Sequence, residues 1–331
     1  MEHPFAQYIQ TLGKGKRGSK DLTLQDAEQA MSMILSGQAD PAQLGAFLML
    51  MRVKEETAEE LAGFVRAARA SIAAPKNLAH VDLDWSSYAG KRRQLPWLVL
   101  SALLLASHGV KVLMHGASGA AGRINVADAL QALGINTASS VADASNSIQQ
   151  ANFAFIPLGV LSPELQRILD MKSLLGLRSP AHTIVRMLNP FAAPASIIGI
   201  FHPGYDETHQ QASMILQDSS MAVFKGEGGE AERNPDANCV VRMARAGALM
   251  DEEWPAMFSS RHMKDESMDL SRLSAMWHGK TDDEYGKAAI LGTTAIALRT
   301  MGRANDIASA EKEAARMWDN RDIAYLDRIK N

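Results

Sequence analysis

The stretch Val81–Gly134, VDLDWSSYAGKRRQLPWLVLSALLLASHGVKVLMHGASGAAGRINVADALQALG, decides the fold. Val81–Asp84 is a short β-prone run. Pro96 suits the first turn of a helix, Leu98–Leu105 is nearly all apolar, and Gly109 suits its C′ position. Val110–Met114 reads as a second strand and Ile124–Leu133 as a second helix closed by Gly134. Strands alternating with helices in this way predict a parallel, doubly wound sheet, whose ligands sit at the carboxyl ends of the strands. Two loops leave such ends. The first carries Gly90 and then Lys91, Arg92 and Arg93; the second carries His115, Gly116, Ser118, Gly119 and Gly122. Backbone N–H groups at the helix starts that follow add to any anion site made there.

Upstream, residues 1–75 read as a helical subdomain. Phe5, Tyr8, Ile9 and Leu12 share one helical face, and Lys14, Lys16, Arg17 and Lys20 crowd the loop that follows. Thr23 caps the next helix, and Asp40-Pro41 opens Ala42–Val53. Thr57-Ala58-Glu59-Glu60 is a capping box for Leu61–Ile72, which Pro75 ends. Residues 76–331 read as the α/β domain. Its later strands are expected at Phe153–Pro157, Ile197–Phe201, Ala222–Lys225 and Cys239–Met243. Helices are expected from Ser162-Pro163 to Leu175, over Tyr205–Leu216 and over Tyr285–Thr300. The polar stretch after Gly134 carries no assigned element, and Asp251–Asp283 resists assignment.

With 331 residues and 47% hydrophobic content, the chain can fill a large core. Its net charge of −3 gives no global attraction to nucleic acid, so basic clusters act only locally. A single cysteine, Cys239, excludes an intrachain disulfide and a Cys-rich metal site, and fits a reducing cytoplasm. The most apolar run, Leu95–Ala106, falls well short of the roughly 20 residues of a spanning helix.

These motifs resemble the anthranilate phosphoribosyltransferase family, which carries GTGGD after its first strand and KHGN…SS…GSAD-x-LE-x-LG after its second. Here the second motif is partly kept, as Met114-His115-Gly116 and Asp128-Ala129-Leu130-Gln131-Ala132-Leu133-Gly134. The first becomes Ser87-Tyr88-Ala89-Gly90-Lys91, so that a lysine replaces the motif's acid. The resemblance implies a nucleoside-phosphorylase-like fold with a central, mostly parallel sheet. It also implies a small helical subdomain joined by part of 160–188, and a homodimer formed through it.

The family binds a diphosphate sugar with Mg²⁺ and lets an aromatic amine displace pyrophosphate. Glycines permit the close backbone approach to phosphate, and carboxylates hold the metal. Aligning on Gly226 and Gly229 places Ala231 and Glu232 where the family has its metal-binding Asp-Glu, with Glu227 and Glu230 nearby. Ala117 stands at the Asn position, Ser162-Pro163-Glu164 replaces His-Pro-Ala, and Lys172 stands for an arginine near the acceptor. Arg178 matches the arginine of LG-x-R-T. A lysine lacks the planar fork that orients a carboxylate.

The combination resembles the YbiB-type branch, which is associated with nucleic-acid binding. It predicts a homodimer binding DNA or RNA without sequence preference, with no cofactor and no catalytic residue assigned. The expected phosphate contacts are Lys91–Arg93, Lys172, Arg178 and the Lys14–Lys20 loop; of the aromatic residues that flank the basic run, Trp85 and Tyr88 are stacking candidates and Trp97 reads as core. The alternative is a phosphoribosyltransferase or phosphorylase of unassigned acceptor, with Gly90, His115, Gly116 and Ser118 in the pocket and Glu232 toward Mg²⁺. Elsewhere, His202 and His209 fit no closed ligand set, and His108 and His182 read as structural.

Overall fold

The structure is a computed structural model that describes residues 2–15, 17–72, 77–117, 122–202, 204–265 and 267–330. Lys16, Pro75, Ser118 and Gly119, read above as site or punctuation residues, lie outside this set.

Four helices open the chain: α1 (Ala6–Gly13), α2 (Leu24–Leu35), α3 (Pro41–Lys54) and α4 (Ala58–Ser71). Their starts follow from the polar residues there. Asp40 with Gln43, and Thr57 with Glu60, form reciprocal capping boxes, and Pro41 fills a first-turn position whose N–H needs no partner. Glu60 also ties the bundle together. Its buried carboxylate accepts the Leu22 N–H at 2.8 Å and the Lys54 ammonium at 2.8 Å, joining the approach to α2 and the end of α3 to α4.

The sheet contains β1 (Leu83–Ser87), β2 (Val112–Gly116), β3 (Phe153–Pro157), β4 (Ala195–Ile200), β5 (Ser220–Lys225), β6 (Cys239–Arg245) and β7 (Ala248–Trp254). Their order is β3-β2-β1-β4-β5-β6-β7, with β1 to β5 parallel and the last two antiparallel. Between β6 and β7, Ala246 and Gly247 both take positive φ (48° and 77°), as a two-residue turn matched to the strand twist requires.

After β1 come α5 (Leu98–Ser107), α6 (Val126–Ala132) and α7 (Val141–Ala151). The crossover contains α8 (Leu158–Leu161), α9 (Pro163–Asp170), α10 (Lys172–Leu175) and α11 (Ala181–Ile184), and α12 (Tyr205–Leu216) joins β4 to β5. The chain ends with α13 (Ser271–Trp277), α14 (Glu284–Thr300), α15 (Ile307–Asp319) and α16 (Tyr325–Arg328).

Alternate strand residues face opposite layers. Val112 and Met114 join Trp85, Phe224 and the residues of α5, α14 and α15 in one apolar cluster. Leu113 joins a second cluster with Ile198, Val223, the four N-terminal helices, and Leu165, Ile168 and Ile184 from the 160–188 segment. The expected class, a helical N-terminal part with a mostly parallel α/β part, is the observed one. Among the described residues no helix is long and apolar enough to cross a membrane.

Two stretches differ from expectation. The polar run after Gly134 contains α7, because Ser140 accepts the Asp143 N–H as a cap and Ala144 and Ile148 supply a buried stripe. Asp251–Asp283 holds most of β7 and all of α13; the alternation of Ala248–Trp254 is hidden by Asp251, Glu252 and Glu253.

Glycines in the bundle give a paired test. A Cβ at Gly63 would stand 2.4 Å from the Leu24 carbonyl oxygen, whereas one at Gly45 would meet nothing within 4 Å. Gly63→Ala should cost about 1–3 kcal/mol by overpacking, and Gly45→Ala should gain up to about 1 kcal/mol of helix propensity. Urea unfolding of both variants checks the opposite signs.

Candidate phosphate and metal centre

Sheet order reverses between β1 and β4, so the loops leaving their carboxyl ends diverge and open a crevice. The loop after β5 leans into it. Gly226 makes this approach possible, since a Cβ there would lie 1.6 Å from the Glu230 carbonyl oxygen. Gly90 holds the β1 loop at φ +68°, against Asn125 and Arg123. The β1 and β2 loops are clamped by reciprocal bonds between the Lys91 and Ile124 backbones, each 2.8 Å.

Lys91 corrects the expectation of a solvent-facing cation. Its side chain is fully buried, and its ammonium donates to Glu232 Oε1 at 2.5 Å and pairs with Glu227. Burial pulls its pKa down, but the two carboxylates more than offset this and leave it above the ordinary lysine value. Two acids share one base, so a negative charge remains in a dry site. Burial therefore pushes Glu232 up to about 7 against the pull of Lys91, with Glu227 adding to the rise. Glu232 Oε2 accepts the Leu98 N–H at 2.7 Å, which fixes the first turn of α5.

Glu230 fills the place expected for phosphate. Its Oε1 accepts the Ala89 N–H at 2.7 Å and the Gly90 N–H at 2.5 Å, so the surviving part of the glycine turn already holds an anion from its own chain. Next to it, Tyr88 and His115 are coupled at 2.7 Å through Nδ1, and His115 Nε2 lies 3.3 Å from Asp84. Burial, then Asp84, raises the Tyr88 pKa well above the ordinary phenol value. The Asp84 carboxylate can only accept, so a neutral His115 ring turns its Nε2–H toward it and leaves Nδ1 to accept the Tyr88 hydroxyl. Gly116 ends β2 beside this pair.

Trp85 and Trp97 are fully buried, and Tyr88 is engaged by His115, so none of the three is placed for base stacking. Arg92 and Arg93 are exposed and line a cleft of about 660 Å³ with Lys225, Arg261, Lys264 and His262. A second cavity of about 380 Å³ is lined by Arg52, Arg178, His182, Arg186 and His209. Arg123 lines neither but donates to the Ala89 and Gly90 carbonyls at 2.9 and 3.0 Å; burial first, then the charges of Arg92 and Arg178, lower its pKa. Among the described residues, none of Arg92, Arg93, Arg123, Arg178, Arg186, Lys225, Arg261 and Lys264 has a carboxylate partner within 4.0 Å.

Exposed Lys172 lines neither cavity but is near enough to contribute to the lowered pKa of His182; Lys14, Arg17 and Lys20 line neither. Sequence reading missed Arg123, Arg186, Lys225, Arg261 and Lys264. Only the crevice topology gathers residues so far apart, and two of them lie in the unassigned stretch.

His108 and His182 bond to the Leu104 and Ser179 carbonyls, and Cys239 is buried. Burial lowers both His182 and His209 to about 4, with the charge of Arg178 next for His182. Each is neutral in the fold, while the unfolded chain takes up a proton near pH 6.5. Stability should therefore fall as pH drops from about 6.5 toward 4, and this source is exhausted below. Urea midpoints measured through that window should decline less steeply in His209→Gln.

The chain matches the model of a glycosyl transferase family helical bundle domain over residues 6–72 and of a glycosyl transferase family α/β domain over residues 98–320. It is 27% identical over 315 residues to an anthranilate phosphoribosyltransferase of Desulforudis audaxviator, covering 92% of this chain and 90% of that one. An uncharacterized protein of Aquifex aeolicus is 30% identical over 231 residues, covering 69% and 70%. The Thermus thermophilus anthranilate phosphoribosyltransferase structure superposes with a TM-score of 0.78 at 19% identity, covering 97% and 99%. The Saccharomyces cerevisiae enzyme in complex with PRPP and Mg gives 0.78 at 17% identity, covering 100% and 98%. The chain belongs to the anthranilate phosphoribosyltransferase-like glycosyl transferase family.

Proposed function

We propose that this family member binds phosphate backbones, of DNA or RNA, along the basic crevice, and does not transfer phosphoribosyl groups. One observation carries the reading: the cations around the crevice lack carboxylate partners, while the centre beneath them is filled by Lys91, Glu230 and Glu232. Cations without carboxylate partners keep their charge available to neutralise phosphates and release counterions, and such binding carries little sequence information. Lys91 is not one of them, because replacing it attacks the core.

The relatives favour a second reading over this one: their named activity is anthranilate phosphoribosyl transfer, and the yeast enzyme is in complex with PRPP and Mg. On that reading the crevice cations hold a phosphoribosyl ligand, and the Tyr88–His115–Asp84 chain holds a proton at its edge. A homodimer belongs to the first reading. Val53 and Leu174, 84% and 80% exposed on α3 and α10, are the places to put charges if sedimentation gives a dimer.

Polynucleotide affinity should fall with salt at a log–log slope of about 0.7–0.9 per phosphate contact. Arg92→Glu with Arg93→Glu should cut that slope by about two contacts' worth for every sequence alike, with circular dichroism unchanged. Turnover of phosphoribosyl diphosphate with an aromatic amine, above a no-protein control, would instead establish the second reading.

A further inference from the structure

We infer that the Lys91 ammonium is a built-in replacement for the divalent cation that the family's fold implies, so this chain has no divalent site at its centre. The inference is independent of what the crevice binds.

The residues present do not fit a metal. Of the four acceptor oxygens of Glu227 and Glu232, one on each carboxylate faces the Lys91 ammonium, and Glu232 Oε2 is committed to the Leu98 N–H. The third carboxylate, Glu230, is turned onto the Ala89 and Gly90 amides. Between them, Ala231 contributes only a buried methyl group. Among the described residues no group of three or more His, Cys, Asp or Glu side chains is arranged to hold a metal ion. Mg²⁺ needs near-octahedral oxygens at about 2.0–2.1 Å and keeps several waters, whereas Lys91 and Glu232 are both fully buried.

The ammonium supplies what the site still requires. It brings positive charge and three donors from a side chain anchored by the Lys91–Ile124 bridge, so nothing has to be recruited from solution. A divalent ion added beside it would meet a like charge across a few ångströms of low-dielectric interior.

The test is thermal melting of the intact protein with EDTA, with Mg²⁺ and with a Mn²⁺ series, read alongside Mn²⁺ binding by electron paramagnetic resonance. The wild-type Tm should not respond to any of them, and no Mn²⁺ should bind in a way that Glu232→Gln removes. Lys91→Ala frees the two carboxylates; its Tm should start lower and climb with the logarithm of Mn²⁺ concentration. Lys91→Ser, which also leaves room for an ion beside the two carboxylates, serves if the alanine variant does not fold. A wild-type Tm raised by Mn²⁺ and made insensitive by Glu232→Gln would overturn the inference. So would a folded Lys91 variant that ignores Mn²⁺. If neither variant folds, the wild-type titration alone decides.

Discussion

The buried contact of Lys91 with Glu227 and Glu232 holds the crevice in its present form. It joins the loop after β1 to the loop after β5, and through Leu98 it fixes the start of α5, the most apolar helix of the core. Breaking one side of a buried ion pair typically costs about 3–5 kcal/mol, because the abandoned charge stays in a dry interior. Burial first, and then the neighbouring Glu227, push Glu232 up to about 7 against the pull of the one ammonium that both carboxylates share. Glu230 follows from the same arrangement: once the β5 loop is drawn in, its carboxylate reaches the Ala89 and Gly90 amides.

The consequence is a separation of charge. The centre pairs its groups with one another, with an ammonium between carboxylates and Glu230 Oε1 on the amides, while Glu230 Oε2 is left buried without a partner among the described residues. The rim keeps its guanidinium and ammonium groups without carboxylate partners among the described residues, across Arg92, Arg123, Arg178 and Arg186 and down to Arg261 and Lys264, although Arg123 donates to the Ala89 and Gly90 carbonyls. Guanidinium groups crowded this way repel one another, as the lowered pKa of Arg123 reflects after its burial. On the proposed reading, an arriving polyanion would relieve that repulsion at the same residues.

Much of this was legible in the chain. The parallel sheet could be read because Leu98–Leu105 and Val112–Met114 are buried on all sides, and strands and helices of that kind appear as unbroken apolar runs. The overwritten glycine motif and the position of Glu232 were equally plain. The role of Lys91 was not. A lysine beside two arginines reads as one basic run; only the positive φ of Gly90 and the bridge to Ile124 turn its side chain inward while Arg92 and Arg93 point out. Glu230 stands out as an acid near the metal-binding position, but its partners do not, since they are backbone amides 140 and 141 positions away in the chain. The strand Ala248–Trp254 was hidden by a sheet edge that tolerates acids.

The centre carries its own cation, and the Lys91 ammonium between Glu227 and Glu232 can report on it directly. Lysine-selective ¹⁵N labelling, with assignment by Lys91→Arg, should show one slowly exchanging ammonium resonance. That resonance should keep its position when Mg²⁺ and phosphoribosyl diphosphate are added together. An ammonium that exchanges as fast as the surface lysines, or a resonance displaced by the two ligands, would contradict the account.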